Sequence, residues 1–229
     1  MYCAFGIIVE ARTNLRNAIM ERMYYYQYAL YHAVTGFIVF CVFMFCAALT
    51  SFIFAPLQQL VFNEYTVPRQ LVYLPHGVCV LATMLFGPKM LPVLFAGNAA
   101  THYLFAQENM LPIYANGWVL PALVATLCAF VTFEAFRFCG KNYYVTRNNC
   151  THWREIVCVG VIAALVAAVG TAFLSISTFQ DMNQMALLSY QTFGKITGWL
   201  ILLFTAMILF RWGRLRASAS DSQDPRSRQ

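Results

Sequence analysis

Apolar residues in this chain come in long unbroken runs. They follow neither the alternation of a half-buried strand nor the narrow stripe of a surface helix. A helix needs roughly 20 mostly apolar residues to cross a bilayer core about 30 Å thick. Six runs approach that requirement, at residues 33–55, 71–86, 90–107, 118–137, 156–176 and 195–212. The first is expected to stop at Pro56. The second is short and interrupted by Pro75-His76-Gly77, and Gly87-Pro88-Lys89 forms a tight turn between it and the third. Membrane β-strands would alternate over about 10 residues, and these runs are continuous and longer. The expected fold is therefore all-α, a polytopic membrane protein with six transmembrane helices over residues 33–212. Residues 1–32 precede the bundle as a cytoplasmic or interfacial helix. Residues 213–229 form a tail that turns rich in Ser, Asp and Arg after Ala217 and is expected to be disordered.

Composition agrees with this pattern. The chain has 229 residues, 60% hydrophobic and only 10% charged, against about 25% charged in a soluble domain. A soluble fold of this size could not hide that much apolar surface. A soluble enzyme, a disordered protein and a nucleic-acid-binding domain are excluded on that ground. The net charge of +6 then reads as orientation. With the N-terminus in the cytoplasm, thirteen of the fifteen basic residues fall on the inner side, and only Arg69 and Lys195 fall outside. The loops at 108–117 and 177–194 carry acids and no basic residue. Both termini are thus expected to be cytoplasmic. Tyr24, Tyr25, Tyr26, Tyr28 and Tyr31 precede the first run as an interfacial aromatic belt. Residues 5–30 are either an amphipathic helix on the inner surface, with Arg12, Arg16 and Arg22 toward lipid headgroups, or a plain extension of the first span. No cleaved signal peptide is read, because these arginines follow the apolar residues Phe5 to Val9 and do not precede them.

Polar groups inside a bilayer are costly and usually face a bundle interior, so they point to function. His76 falls roughly 7 Å below the outer start of the second span, and His102 roughly 18 Å up from the inner start of the third. Asn98 shares a helix face with His102. Lys195 opens the sixth span. His76, Asn98, His102 and Lys195 could gather in one ligand-binding pocket open to the outside. Pro75 and Gly77 would kink the second helix there. The alternative is that the histidines only hydrogen-bond between helices.

Other motifs have plainer readings. Glu134 and Arg137, three apart, would pair at a helix end. Gly194 and Gly198, four apart, would permit close helix packing. Arg211, Arg214 and Arg216 would touch anionic lipid or a protein partner on the inner face. Asn149-Cys150-Thr151 matches a glycosylation sequon but falls on the inner side. The eight cysteines include no C-x-x-C pair, two histidines make too few ligands for a metal, and no cofactor is expected. No nucleophile elbow, zinc-protease motif or phosphate loop is present, and no catalytic set emerges.

Leu74-Pro75-His76-Gly77-Val78, followed by Leu81-Ala82 and Leu85-Phe86-Gly87, resembles the integral membrane sensory domain MASE1. Pro92, Leu94-Phe95 and Gly97-Asn98 are similar to the family's following span. The similarity covers residues 71–107. Where the family commonly carries Gly-Asp-x-x-Gly in a late helix, this chain has Gly194-Lys195-Ile196-Thr197-Gly198, with Lys195 in place of the acid. The resemblance implies a multi-helix input domain, usually of about eight spans and fused to a cyclic-di-GMP or histidine-kinase output domain.

Three functions are expected from these features. The first is a bacterial inner-membrane sensory or partner-binding protein without its own output domain, acting through a membrane or cytoplasmic protein partner. The second is a small transporter or substrate-binding membrane subunit. The third is a structural or assembly subunit of a larger membrane complex. None involves nucleic acid.

Overall fold

A computed structural model describes residues 2–61, 71–109, 119–145, 153–175 and 184–221. Helix accounts for nearly all of them, and no strand occurs among them. The elements are α1 (Tyr2–Leu49), a π turn (Thr50–Phe54), α2 (Ala55–Val61), α3 (Leu74–Phe86), a 3-10 turn (Gly87–Met90), α4 (Leu91–Asn109), α5 (Val119–Phe138), α6 (Trp153–Ser175) and α7 (Gln184–Asp221). Five stretches are long and apolar enough to cross a membrane: Met20–Gln58, Leu74–Leu104, Val119–Phe138, Trp153–Leu174 and Leu188–Arg216. This is the build of a multi-pass α-helical membrane protein.

The stretch Leu74–Leu104 is not straight. In a continuous helix Cys79 and Asn98 would lie about 28 Å apart along the axis, yet the Asn98 amide nitrogen is 3.6 Å from the Cys79 sulfur. The reversal occurs at Gly87, whose φ of +67° is disfavoured for residues bearing a Cβ. Two further bonds define the ends of the bundle. At one end the Val145 N–H donates to the Met84 carbonyl at 3.0 Å, beside the Gly87 turn. At the other the Tyr73 N–H donates to the Gly194 carbonyl at 2.9 Å.

The chain divides into two compact units, residues 1–38 and 39–229. The first is helical throughout its described length, and residues 20–31, with Arg22 and all five tyrosines, are exposed. The Tyr28 and His32 rings meet edge to face with centroids 4.3 Å apart. Arg12 and Arg16 lie on the same helix, and α1 continues without a break at residues 32 and 33.

In the second unit α3 is the central element. It packs against α5, α6 and α7, while α4 lies on α5, α5 on α6 and α6 on α7. Ten of its thirteen residues are buried, which fits a helix apolar on every side. At about 20 Å it is shorter than a bilayer core. Small residues bring its neighbours close. Ala163, Ala164, Ala167 and Ala168 of α6 are fully buried, and Trp199 of α7, also fully buried, lies where a Cβ on Gly160 would stand.

Three expected boundaries are corrected. Pro56 does not end the first run; it occupies the second position of α2, after the π turn has already shifted the hydrogen-bond register. Pro75 does not kink a helix. It sits in the first turn of α3, where its missing N–H breaks no helical bond, and Gly77 likewise marks a close crossing and no bend. The sixth run does not stop at Trp212, since α7 continues to Asp221 over the first part of the expected tail. The expected 177–194 loop is helical from Gln184 onward as the start of α7, and residues 222–229, the sequon at 149–151, residues 110–117 and residues 177–183 lie outside the described residues.

Candidate functional site

The site is built on the N-terminus of α3. Irregular backbone precedes this helix at Leu71–Tyr73, and such backbone is tolerated within a membrane protein only where other groups satisfy it. Here they do. The Leu71 N–H donates to the Gln58 side-chain oxygen at 2.9 Å, and the Tyr73 N–H donates to the Gly194 carbonyl. The Leu74 N–H donates to the Thr50 hydroxyl oxygen at 3.3 Å. Thr50, at the head of the π turn, in turn donates its own hydrogen to the Cys46 carbonyl at 2.9 Å. It thus acts as a cap supplied from another element.

Helices α3 and α7 cross here in near backbone contact. A Cβ on Gly77 would stand 3.1 Å from the Leu202 Cβ and 3.2 Å from the Trp199 Cα. A Cβ on Gly198 would overlap the Tyr73 carbonyl. Gly198 therefore serves close packing, while Gly194 offers its carbonyl to the Tyr73 N–H.

The crossing puts His76, beside Gly77, and Lys195, three residues before Gly198, at the same end of α3 and α7. His76 is 4% exposed, and its Nε2 has no hydrogen-bond partner. Lys195 is 9% exposed, and its ammonium donates to the Thr171 hydroxyl of α6 at 3.1 Å. Thr171 lies 2.5 Å from the Gln191 side-chain oxygen and 2.8 Å from the Ala167 carbonyl. Gln191 and Lys195 are four apart on α7, so they share a face. No carboxylate pairs with Lys195 among the described residues. Cys128 of α5 lies within electrostatic reach of Lys195.

Asn98 lies deeper along α3, against Cys79, which is one turn from His76. Buried to 1% exposure, it donates to the Thr126 hydroxyl at 3.1 Å, the Leu94 carbonyl at 3.0 Å and, more weakly, the Cys79 sulfur. It joins α3, α4 and α5. His102 lies one turn further along α4, partly exposed. Of the four residues expected to form one pocket, His76 and Lys195 lie at the crossing of α3 and α7, and Asn98 ties α3, α4 and α5 one turn along α3 from His76. Thr171, Gln191 and Thr126 were not singled out from the sequence. The signal that could have found Gln191 is its position one turn before the lysine.

At the Gly87 end a second polar group closes the bundle. Glu134 and Arg137 pair at 3.4 Å as their spacing predicts, and the Tyr144 hydroxyl donates to Glu134 at 2.8 Å. Tyr144 also stacks on Phe133 at 5.3 Å. Helix α5 ends in a Schellman turn, with the Lys141 N–H on the Phe136 carbonyl and Gly140 at φ +82°. Burial and the Glu134 carboxylate push the Tyr144 hydroxyl well above the usual phenol value, and Arg137 offsets this in part.

The site is connected to the far end of α7 by unbroken helix. Lys195 lies near its start, and Arg211 about 24 Å further along the axis. Arg211, Trp212, Arg214, Leu215 and Arg216 are exposed there, with the Arg216 guanidinium 3.7 Å above the Trp212 ring. No family model, curated protein or solved structure matches this chain.

Proposed function

We propose that this chain is a bacterial inner-membrane protein with a sensory or partner-binding role. Six helical legs cross the membrane, counting α3 and α4 separately, and both termini are cytoplasmic. The charge distribution supports that orientation, as does the alternation of ends set by the Gly87 turn and the Tyr73–Gly194 bond. The resemblance of residues 71–107 to the MASE1 sensory domain forms part of the same reading. The observation that carries it is the continuity of α7. One helix holds a buried cation at Lys195 and, beyond the apolar stretch, an exposed arm of Arg211, Arg214 and Arg216. A change at Lys195 reaches the arm as a shift or rotation of a rigid element. The arm offers cations and an aromatic ring to a cytoplasmic partner or to anionic headgroups.

The test places a photo-crosslinking residue at Leu215 in cells. The reading predicts capture of one protein partner, in a yield altered by Lys195→Met or His76→Ala at unchanged protein level. Capture of nothing, or capture indifferent to both variants, contradicts it. Substrate uptake by proteoliposomes, lost on His102→Leu, would contradict it in favour of transport.

A further inference from the structure

Three features at the head of α3 share one sign. The Lys195 ammonium has three hydrogens, and among the described residues only the Thr171 oxygen accepts one. His76 Nε2 is buried without a partner and donates in its Nε2–H tautomer. The N-terminus of α3 carries the positive end of the helix dipole, and Pro75 and His76 stand in that first turn. The Gly194 carbonyl takes the Tyr73 N–H, and the Thr50 oxygen takes the Leu74 N–H. An ammonium so buried, with no carboxylate beside it among the described residues, is strongly disfavoured unless a negative charge offsets its desolvation. Placed at a helix N-terminus, the same set of donors is complementary to negative charge.

We infer that the head of α3 is a binding site for a small anionic group, held by Lys195 and His76 with Thr171 orienting the ammonium. The group is a free carboxylate, halide or phosphate, or the phosphate of a lipid headgroup. This deepens the sensory reading by naming the class of ligand whose arrival α7 would register, and it rests on that reading only for the consequence of binding.

The experiment measures thermal unfolding of the purified full chain in nanodiscs of zwitterionic lipid. Sodium chloride, acetate and phosphate are titrated at constant ionic strength against methanesulfonate, with a parallel set of discs containing anionic lipid. A free anion predicts a rise in Tm that becomes logarithmic above its Kd, about 3–5 °C for each further tenfold in concentration. A headgroup predicts the rise with anionic lipid alone. Either rise disappears in Lys195→Met and survives in Lys195→Arg. Thr171→Val, which keeps the charge, moves half-saturation to higher concentration and so covers the case in which Lys195→Met does not fold. Absence of a rise in both kinds of disc overturns the proposal. So does a rise of equal size in Lys195→Met, or destabilisation by Lys195→Met with no anion dependence in the wild type, which would assign the counter-charge to the chain itself. None of these results bears on crosslinking at Leu215, so the site and the sensory reading can fail separately.

Discussion

At the residue scale, glycines decide how closely these helices approach. Gly160 leaves room for the Trp199 indole, and Gly198 lets α7 rest against the Tyr73 carbonyl. An added methyl at either position meets atoms that cannot withdraw, a ring held on all sides in one case and backbone in the other. Gly160→Ala and Gly198→Ala should each lower stability by about 1–3 kcal/mol, the usual cost of overpacking. Gly213, with open space around its Cβ direction, is the control. Gly213→Ala should leave stability unchanged or raise it by up to about 1 kcal/mol, since alanine is the better helix former. Thermal unfolding of the three variants in one detergent checks this. The glycine pair at 194 and 198 was legible as a packing motif because small residues one turn apart have one common use. The role of Gly160 was not, because its partner is remote in sequence and its own neighbours, Val159 and Val161, give no sign of a tryptophan.

At the element scale, helix identity was legible and helix boundaries were not. Runs of apolar residues mark helices whatever they pack against. Boundaries depend on which groups satisfy the backbone, and those come from elsewhere in the fold. Pro56 reads as a stop until a π turn precedes it, and Pro75 reads as a kink until Thr50 and Gly194 tie down the strand of backbone that makes it a helix start. The 141–145 loop shows the same dependence. Nothing in its sequence announces that Tyr144 returns to Glu134, yet this bond and the Val145–Met84 bond hold the Gly87 turn against α5. Tyr144→Phe should cost about 1–2 kcal/mol, the range for a hydrogen bond to a charged group less some screening at this half-exposed position. Because the folded hydroxyl titrates above the unfolded one, its contribution is complete below about pH 10 and declines as pH rises beyond that. Denaturation of wild type and variant from pH 7 to 11 should show a constant gap that narrows only at the alkaline end. A gap that widened with pH would contradict the assignment.

For the whole molecule, the four residues of the expected pocket take different partners, and the difference has a physical origin. Depth estimates place residues along the membrane normal and say nothing about rotation around each helix axis. His76 and Asn98 could therefore be assigned compatible depths while facing different neighbours. Asn98 ties α3, α4 and α5 through Thr126, Leu94 and Cys79. Lys195 faces α6 and the head of α3. That Lys195 opens the last apolar run was visible in the sequence; its burial was not. What surrounds it required the fold. The consequence for function runs through α7, which joins that lysine to the Arg211–Arg216 arm without interruption.

The claim that this helix couples the two is tested most directly by amide hydrogen exchange across residues 184–221, comparing wild-type chain with Lys195→Met in nanodiscs. The account predicts that exchange changes at 211–221, about 24 Å or more from the substitution, as well as beside it. A change confined to the first two turns of α7, with the arm exchanging as in the wild type, would contradict it.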